Sequence, residues 1–157
     1  MNRHVIFAVI VPIAISGCVG PLSEKPERQY ATAETARADD AVGDHKWIPP
    51  ILPGDARSIR EVHDIDTNLT WGCFTTGDVE GVRGLLAILK AHRVQGPIGP
   101  GPREWFRDFS WWPEPMRAGT VETWEFTEAA AAPGGSSFVV RVGIDGESRR
   151  TCFHRTL

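Results

Sequence analysis

The residues best suited to acid–base or metal chemistry lie in one short run, His63-Asp64-Ile65-Asp66. Imidazole and carboxylate groups both suit divalent metals. The run ends a segment of partly alternating polarity, however, and neighbouring side chains on a strand point to opposite faces. No spacing links the run to the histidines at positions 45, 92 and 154. We therefore predict that these are structural polar residues at a hairpin end, with a metal or catalytic site as the alternative.

Ser136-Ser137 is the second candidate for chemistry, as a hydrolase nucleophile. The pair is flanked by glycine but lacks the strained Gly-x-Ser-x-Gly elbow that exposes a catalytic serine. The GxxxxGK[ST] phosphate loop and the HExxH and CxxC pairs are absent from the sequence. We therefore predict that the chain is not an enzyme and that it carries neither a cofactor nor a metal.

An aromatic segment between positions 103 and 119 is the third feature that could be functional. It carries five large rings within eight positions: Trp105, Phe106, Phe109, Trp111 and Trp112. We interpret these rings as core that covers the open edge of a small sheet. The alternative is an exposed surface made by Trp105, Trp111 and Trp112 for a protein or glycan partner, because Trp is enriched in binding hot spots.

The amino-terminal residues have the order of a secretory signal peptide. A positively charged head, Met1 to His4, precedes an apolar run from Val5 to Ile15. The run is shorter than the roughly 20 apolar residues that a membrane-spanning helix needs. It ends in Ile15-Ser16-Gly17-Cys18, which resembles the lipobox of bacterial lipoproteins. An ordinary signal peptide with a chance cysteine is the alternative.

The resemblance to bacterial lipoproteins implies that residues 1–17 are removed and that Cys18 is acylated with diacylglycerol. Stable anchoring takes more than one acyl chain, and bacterial lipoproteins carry two or three. Gly20 stands where an Asp is associated with inner-membrane retention. We therefore expect an anchor in the outer membrane, with the protein facing the periplasm.

The other two cysteines, Cys73 and Cys152, form an even pair once Cys18 is assigned to lipid. Disulfides persist in an oxidising compartment such as the cell envelope. We therefore favour a Cys73–Cys152 disulfide. Two buried free thiols are the alternative, since Cys is commonly buried as a small hydrophobe.

The composition divides the remaining chain into a tether and one domain. Residues 21–46 are rich in charged and small residues, with Leu22, Tyr30 and Val42 as their larger apolar groups. Such a segment buries too little surface to offset its ordering entropy. We therefore expect a flexible tether over 18–46 and a single folded domain over 47–157.

Hydrophobic periodicity predicts the elements of that domain. Partial alternation over 58–66 and clean alternation over 69–75 predict a β-hairpin. Apolar residues at three- and four-residue steps predict one main helix over about 77–93. Strands follow over 120–127, 138–144 and 147–155, the last two joined by the turn signal Asp145-Gly146. The order predicts an α+β fold in which an antiparallel sheet of about five strands packs one main helix on a face.

A longer run within the predicted domain resembles a segment of small, functionally uncharacterised bacterial proteins, many of them lipoproteins. In those proteins a Leu-Pro-x-x-Ala turn, here Leu52 to Ala56, leads into a strand that carries His-Asp-x-Asp-Thr-Asn, here His63 to Asn68. The resemblance implies a fold and no chemistry.

Charge and the missing catalytic motifs limit the possible functions. The formal net charge is −3, and the chain from Trp47 onward carries 12 Lys and Arg against 14 Asp and Glu. Phosphate-backbone binding needs a concentrated basic surface, so we do not expect nucleic acid as a partner. We predict a membrane-anchored envelope protein with a non-catalytic domain that binds another protein. The alternatives are an immunity-type lipoprotein that neutralises a periplasmic toxin, and a small cell-wall hydrolase.

Overall fold

The computed structural model describes residues 25–91, 109–128 and 137–157, which form one six-stranded sheet with short helices. The strands are β1 (Glu27–Thr32), β2 (Arg57–Asp64), β3 (Leu69–Thr75), β4 (Glu122–Glu128), β5 (Phe138–Asp145) and β6 (Arg150–Thr156). The helices are α1 (Ala33–Ala38), α2 (Val79–Ala91) and α3 (Glu114–Ala118). The sheet order is β1-β2-β3-β6-β5-β4, and every neighbouring pair is antiparallel.

The predicted fold class is wrong in its proportions. The sheet has six strands rather than about five, and the helices of the described residues are short, so the fold is mostly β. The helix expected over 77–93 is present as α2, with 13 residues, but among them only Leu85 and Leu89 are fully buried. The main packing unit is therefore the sheet itself, and α2 covers a part of it.

The expected tether is corrected over residues 27–46, which belong to the folded region. β1 pairs with β2 from Glu27 opposite Val62 to Thr32 opposite Arg57. Thr32 then caps α1 by accepting a hydrogen bond from the Thr35 amide. This segment packs against the core through small residues instead of large ones: Ala33, Ala36 and Ala41 are each at most 2% exposed. A low content of large apolar residues therefore does not prevent close packing here.

The two faces of the sheet carry separate apolar clusters. One face, named here the core face, holds Ile59, Phe74 and Phe153, and is covered by α1, α2 and the strap over residues 41–52. The opposite face, named here the tryptophan face, holds a second cluster made of Trp71, Cys73, Trp112, Met116, Val121 and Cys152. Met116 brings α3 onto the tryptophan face.

The Cys73–Cys152 disulfide is confirmed and lies at the centre of the sheet. Cys73 on β3 stands directly opposite Cys152 on β6, and the two sulfur atoms are 1.95 Å apart. The neighbouring position on β3 is Gly72, which faces Phe153. A Cβ atom at Gly72 would overlap the Phe153 ring and lie 2.9 Å from the Arg60 carbonyl oxygen. Gly72 therefore lets a large ring lie across β3 on the core face.

Candidate binding groove

The run from His63 to Asp66 contributes hydrogen bonds to the β2–β3 hairpin. Asp64 accepts hydrogen bonds from the backbone amides of Asp66 and Thr67, at 3.1 and 3.2 Å. Lys25 forms an ion pair with the same carboxylate, at 3.5 Å. These bonds hold the pKa of Asp64 below its ordinary value against the opposing effect of desolvation. Over the part of the chain that the structure describes, no three His, Cys, Asp or Glu residues are placed to hold a metal ion.

His63 has a buried partner that sequence reasoning missed. Its Nδ1 atom lies 2.9 and 3.2 Å from the two carboxylate oxygens of Glu61, and Glu61 is fully buried. The Trp47 indole stacks on the imidazole with centroids 3.8 Å apart. Burial raises the pKa of Glu61, and the hydrogen bond from His63 opposes that rise. The sequence signal that could have found this pair is the alternation of side chains along a strand, which places positions 61 and 63 on one face.

A second buried pair lies further along the same face. Arg155 Nε is 2.9 Å from Glu128, and both side chains are 2% exposed. Arg155 also donates to the Lys46 carbonyl at 3.0 Å, and its guanidinium lies 3.6 Å from the centre of the Phe138 ring. Burial raises the pKa of Glu128, and Arg155 opposes the rise.

The two buried pairs together fix the strap to the core face. Thr70 lies between them, since it stands opposite both His63 and Arg155. Trp47 covers one pair, and the Lys46 carbonyl binds the other. The ionisable side chains of both pairs therefore form hydrogen bonds within the fold, and little of their surface reaches solvent.

A groove of about 710 Å³ opens on the tryptophan face. Its lining comes from four strands and from the segment that precedes α3: Gln29, Tyr30, Ala31, Ser58, Ile59, Arg60, Cys73, Ser110, Trp111, Trp112 and Arg150. Register places these strands side by side, since Gln29 pairs with Arg60 and Arg60 with Cys73.

The charged side chains in the lining of the groove are arginines. Arg60 and Arg150 line it, and no Asp, Glu or His is among the described residues of its lining. The Arg60 guanidinium lies 4.9 Å from the centre of the Trp111 ring and also binds Glu27, at 2.7 and 2.8 Å. Arg150 has no ion-pair partner among the described residues. The groove can therefore take a ligand that combines apolar surface with negative charge.

The three tryptophans of the predicted interaction surface differ in their burial and in whether the structure describes them. Trp112 is 2% exposed and belongs to the apolar cluster, so the interpretation as core is confirmed for it. Trp111 is half-buried and forms a wall of the groove. Trp105 lies outside the described residues. Both described rings line the groove, and Trp111 is the one of them that keeps part of its surface exposed.

The remaining candidates fall mostly outside the described residues. Cys18 and Ser136 lie there, so lipidation of Cys18 stays a prediction. Ser137 is exposed directly before β5. No helix in the described ranges has the length and apolar character to cross a membrane.

Comparison with known proteins places a family match over the first part of the fold. A family model described as the YbbD head domain, from a bacterial family, matches residues 24–75. The match spans β1, α1, the strap, β2 and β3, so it includes the Glu61–His63 pair and the groove residues of β1 and β2. No curated protein and no solved structure matches the chain.

Proposed function

We propose that this chain is a lipid-anchored protein of the bacterial envelope whose sheet domain binds an acidic segment of another protein in the Trp111 groove. The observation that carries the proposal is the lining of the groove. Two arginines and a half-buried indole meet there, and no carboxylate or imidazole stands among the described lining residues. Guanidinium groups pair with carboxylates through two parallel hydrogen bonds.

The anchor rests on the lipobox-like sequence and agrees with the bacterial family match. A lipid on Cys18 would hold the domain close to the membrane, because β1 begins at Glu27. Nine chain steps separate the two residues, which gives a reach of at most about 30 Å. Gly20 favours the outer membrane, with the groove in the periplasm.

Binding is better supported than hydrolysis because the Glu61–His63 pair and the groove lie on opposite faces of the sheet. The Glu61–His63 pair faces the strap, where Trp47 covers it. The hydroxyls that line the groove, Ser58 and Ser110 among them, have no carboxylate or imidazole beside them in the described lining. A general base must be within hydrogen-bond reach of the proton that it removes. We therefore propose that the domain is non-catalytic.

Site-specific photocrosslinking in living cells tests this function. A photoreactive amino acid replaces Ser110 in the groove or, as the matched control, Glu147 in the exposed β5–β6 turn. We expect one protein adduct from position 110 that is absent from position 147 and that Arg150→Glu reduces at least about tenfold, the loss expected when one charge-assisted hydrogen bond is removed. The adduct must map by mass spectrometry to an acidic stretch of the partner. Adducts that are equal from both positions, or that map to a basic stretch, contradict the proposal. A partner identified as a toxin would assign the immunity-type role.

The anchor is tested separately, by Cys18→Ser. The variant should lose labelling by a fatty-acid analogue and move from the membrane fraction to the soluble fraction. Unchanged labelling and unchanged fractionation would contradict lipidation at Cys18.

A further inference from the structure

We infer that the acidic segment binds as an added strand: it extends the sheet by pairing in extended conformation with the free edge of β1. The inference rests on the proposed function, since it names how the ligand of the Trp111 groove is held. Its central observation is that the groove and the free edge of the sheet share the same residues.

β1 is an edge strand with one neighbour. It stands first in the sheet order and pairs with β2, and no other strand of the described residues lies beside it. An edge strand presents a row of backbone N–H and C=O groups that can bind a strand from another chain. Addition of an extended peptide to such an edge is a recurrent mode of recognition, in which main-chain bonds supply affinity and pockets supply specificity.

The hydrogen-bond pattern shows which backbone groups of β1 point outward. The His63 amide donates to the Pro26 carbonyl at 3.3 Å, so positions 26 and 63 form a hydrogen-bonded pair. Hydrogen-bonded and non-hydrogen-bonded pairs alternate along an antiparallel ladder. Arg28 and Tyr30 therefore direct their backbone groups toward β2. Gln29 and Ala31 direct theirs toward the free edge.

Gln29 and Ala31 are also the β1 side chains that face the groove. Both lie in its lining, next to Ser58 and Arg60 of β2. A strand added to β1 would lie about 4.8 Å away, and every second side chain would project over the tryptophan face. Arg60 extends its guanidinium to Glu27 on β1 and thus toward that edge. An acidic side chain on the added strand would meet it there.

Charge identifies the occupant as an acidic segment. Arg57, Arg60 and Arg150 belong to β2 or β6 at this end of the sheet, and Arg57 is exposed. Arg28 lies on the opposite face, where it pairs with Asp39 at 3.0 Å. Arg150 has no described carboxylate partner. A second copy of β1 is less complementary, because pairing centred on Gln29 would place Arg28 against Tyr30 rather than against an acid.

Backbone methylation of a defined peptide tests the inference. The probe is a fluorescein-labelled peptide of about nine residues in which glutamate and valine alternate. Its affinity for the full-length chain in detergent micelles is measured by fluorescence anisotropy. Two methylated versions are compared, one methylated at the glutamate amides and the other at the valine amides. The two sets of amides point to opposite sides of an extended peptide, so only one set can face β1.

We expect one methylated peptide to bind at least about tenfold more weakly, because two or three main-chain hydrogen bonds are lost. The other should bind within about twofold of the parent peptide. Equal affinity of all three peptides, with weakening by Trp111→Ala, would overturn strand addition and leave binding in the groove intact. Equal loss in both methylated peptides would also overturn it. No binding of the parent peptide, or self-association of the chain that the peptide does not reverse, would overturn strand addition and groove binding together.

Discussion

Removal of one carboxylate, by Glu128→Ala, should be the most damaging single loss of charge on the sheet. Glu128 is the ion-pair partner of Arg155, at 2.9 Å, with both side chains 2% exposed. The substitution leaves a guanidinium buried beside Phe138 with the Lys46 carbonyl as a remaining partner. Breaking a buried pair by removing one partner costs about 3–5 kcal/mol, because the other charge stays buried and uncompensated.

The sheet offers a matched control on the same strand. Glu125 pairs with Arg141 at 2.8 Å, nearly the same distance, but its side chain is 39% exposed. Exposed pairs contribute roughly 0.2–1 kcal/mol, so Glu125→Ala should cost at most about 1 kcal/mol. Both variants are compared with the wild-type chain by urea unfolding, followed by tryptophan fluorescence with the disulfide intact.

The double variant Glu128→Leu with Arg155→Met separates charge from packing. Replacing both members of a buried pair by apolar residues of similar volume is often neutral. We therefore expect the double variant to be more stable than Glu128→Ala alone. If Glu128→Ala and Glu125→Ala lower the free energy of unfolding equally, within the error of the measurement, burial does not determine how much an ion pair contributes to stability, and the reasoning is refuted.

Three further outcomes follow from the sheet and its core. Replacing Cys73 and Cys152 together by Ala should lower the free energy of unfolding by about 4.5 kcal/mol in the chain-entropy model for a separation of 79 residues, and a loss under about 1 kcal/mol in urea unfolding would contradict it. Gly72→Ala should cost about 1–3 kcal/mol through overlap with the ring opposite it, whereas Gly146→Ala, where a methyl group meets no atom within 4 Å, should cost clearly less in the same assay. The raised pKa of Glu61 means that its protonated form is favoured in the folded state. The contribution of this group to the free energy of unfolding is therefore present below its ordinary pKa of 4.5 and is lost as the pH rises. Glu61→Gln should therefore reduce the decrease in the free energy of unfolding with rising pH, measured by urea unfolding at a series of pH values. An unchanged dependence on pH would contradict this prediction.

The strands with clear alternation could be predicted from the sequence because one of their faces is apolar. The predicted range of β3 agrees with the structure at both ends, and the turn signal Asp145-Gly146 does join β5 to β6. Each of these elements is specified by neighbours along the chain, namely alternate side chains and the residues of a tight turn. Local pattern was sufficient there.

β1 and α1 could not be predicted in the same way. β1 contains one large apolar residue, Tyr30, and the helix that follows is buried through alanines. A search for large apolar side chains passes over such a segment. What orders it is pairing with β2 and the fit of Ala33 and Ala36 against the core. That information lies in residues more than twenty positions away.

The burial of ionisable side chains and the shape of the groove also depend on contacts between residues that are far apart in the sequence. Glu61 carries a carboxyl group in the middle of β2, and charged residues are usually exposed. It is buried because the strap brings Trp47 across His63. Trp111 and Trp112 are neighbours of the same type and both line the groove, yet Trp112 is buried in the apolar cluster while Trp111 is half-buried. Which of the two rings is buried depends on the path that this segment takes across the sheet, and the local sequence pattern does not determine that path.

The central claim, that the Trp111 groove binds acidic segments, is tested most directly by two-dimensional ¹H–¹⁵N NMR of the full-length chain during titration with the glutamate–valine peptide. We predict that the indole N–H signal of Trp111 and the amide signals of Gln29 and Ala31 shift with one common saturation curve. The indole signal of Trp47, on the opposite face of the sheet, should stay in place. Shifts that centre on Trp47 and His63, or no shift at Trp111 at saturating peptide, would contradict the claim.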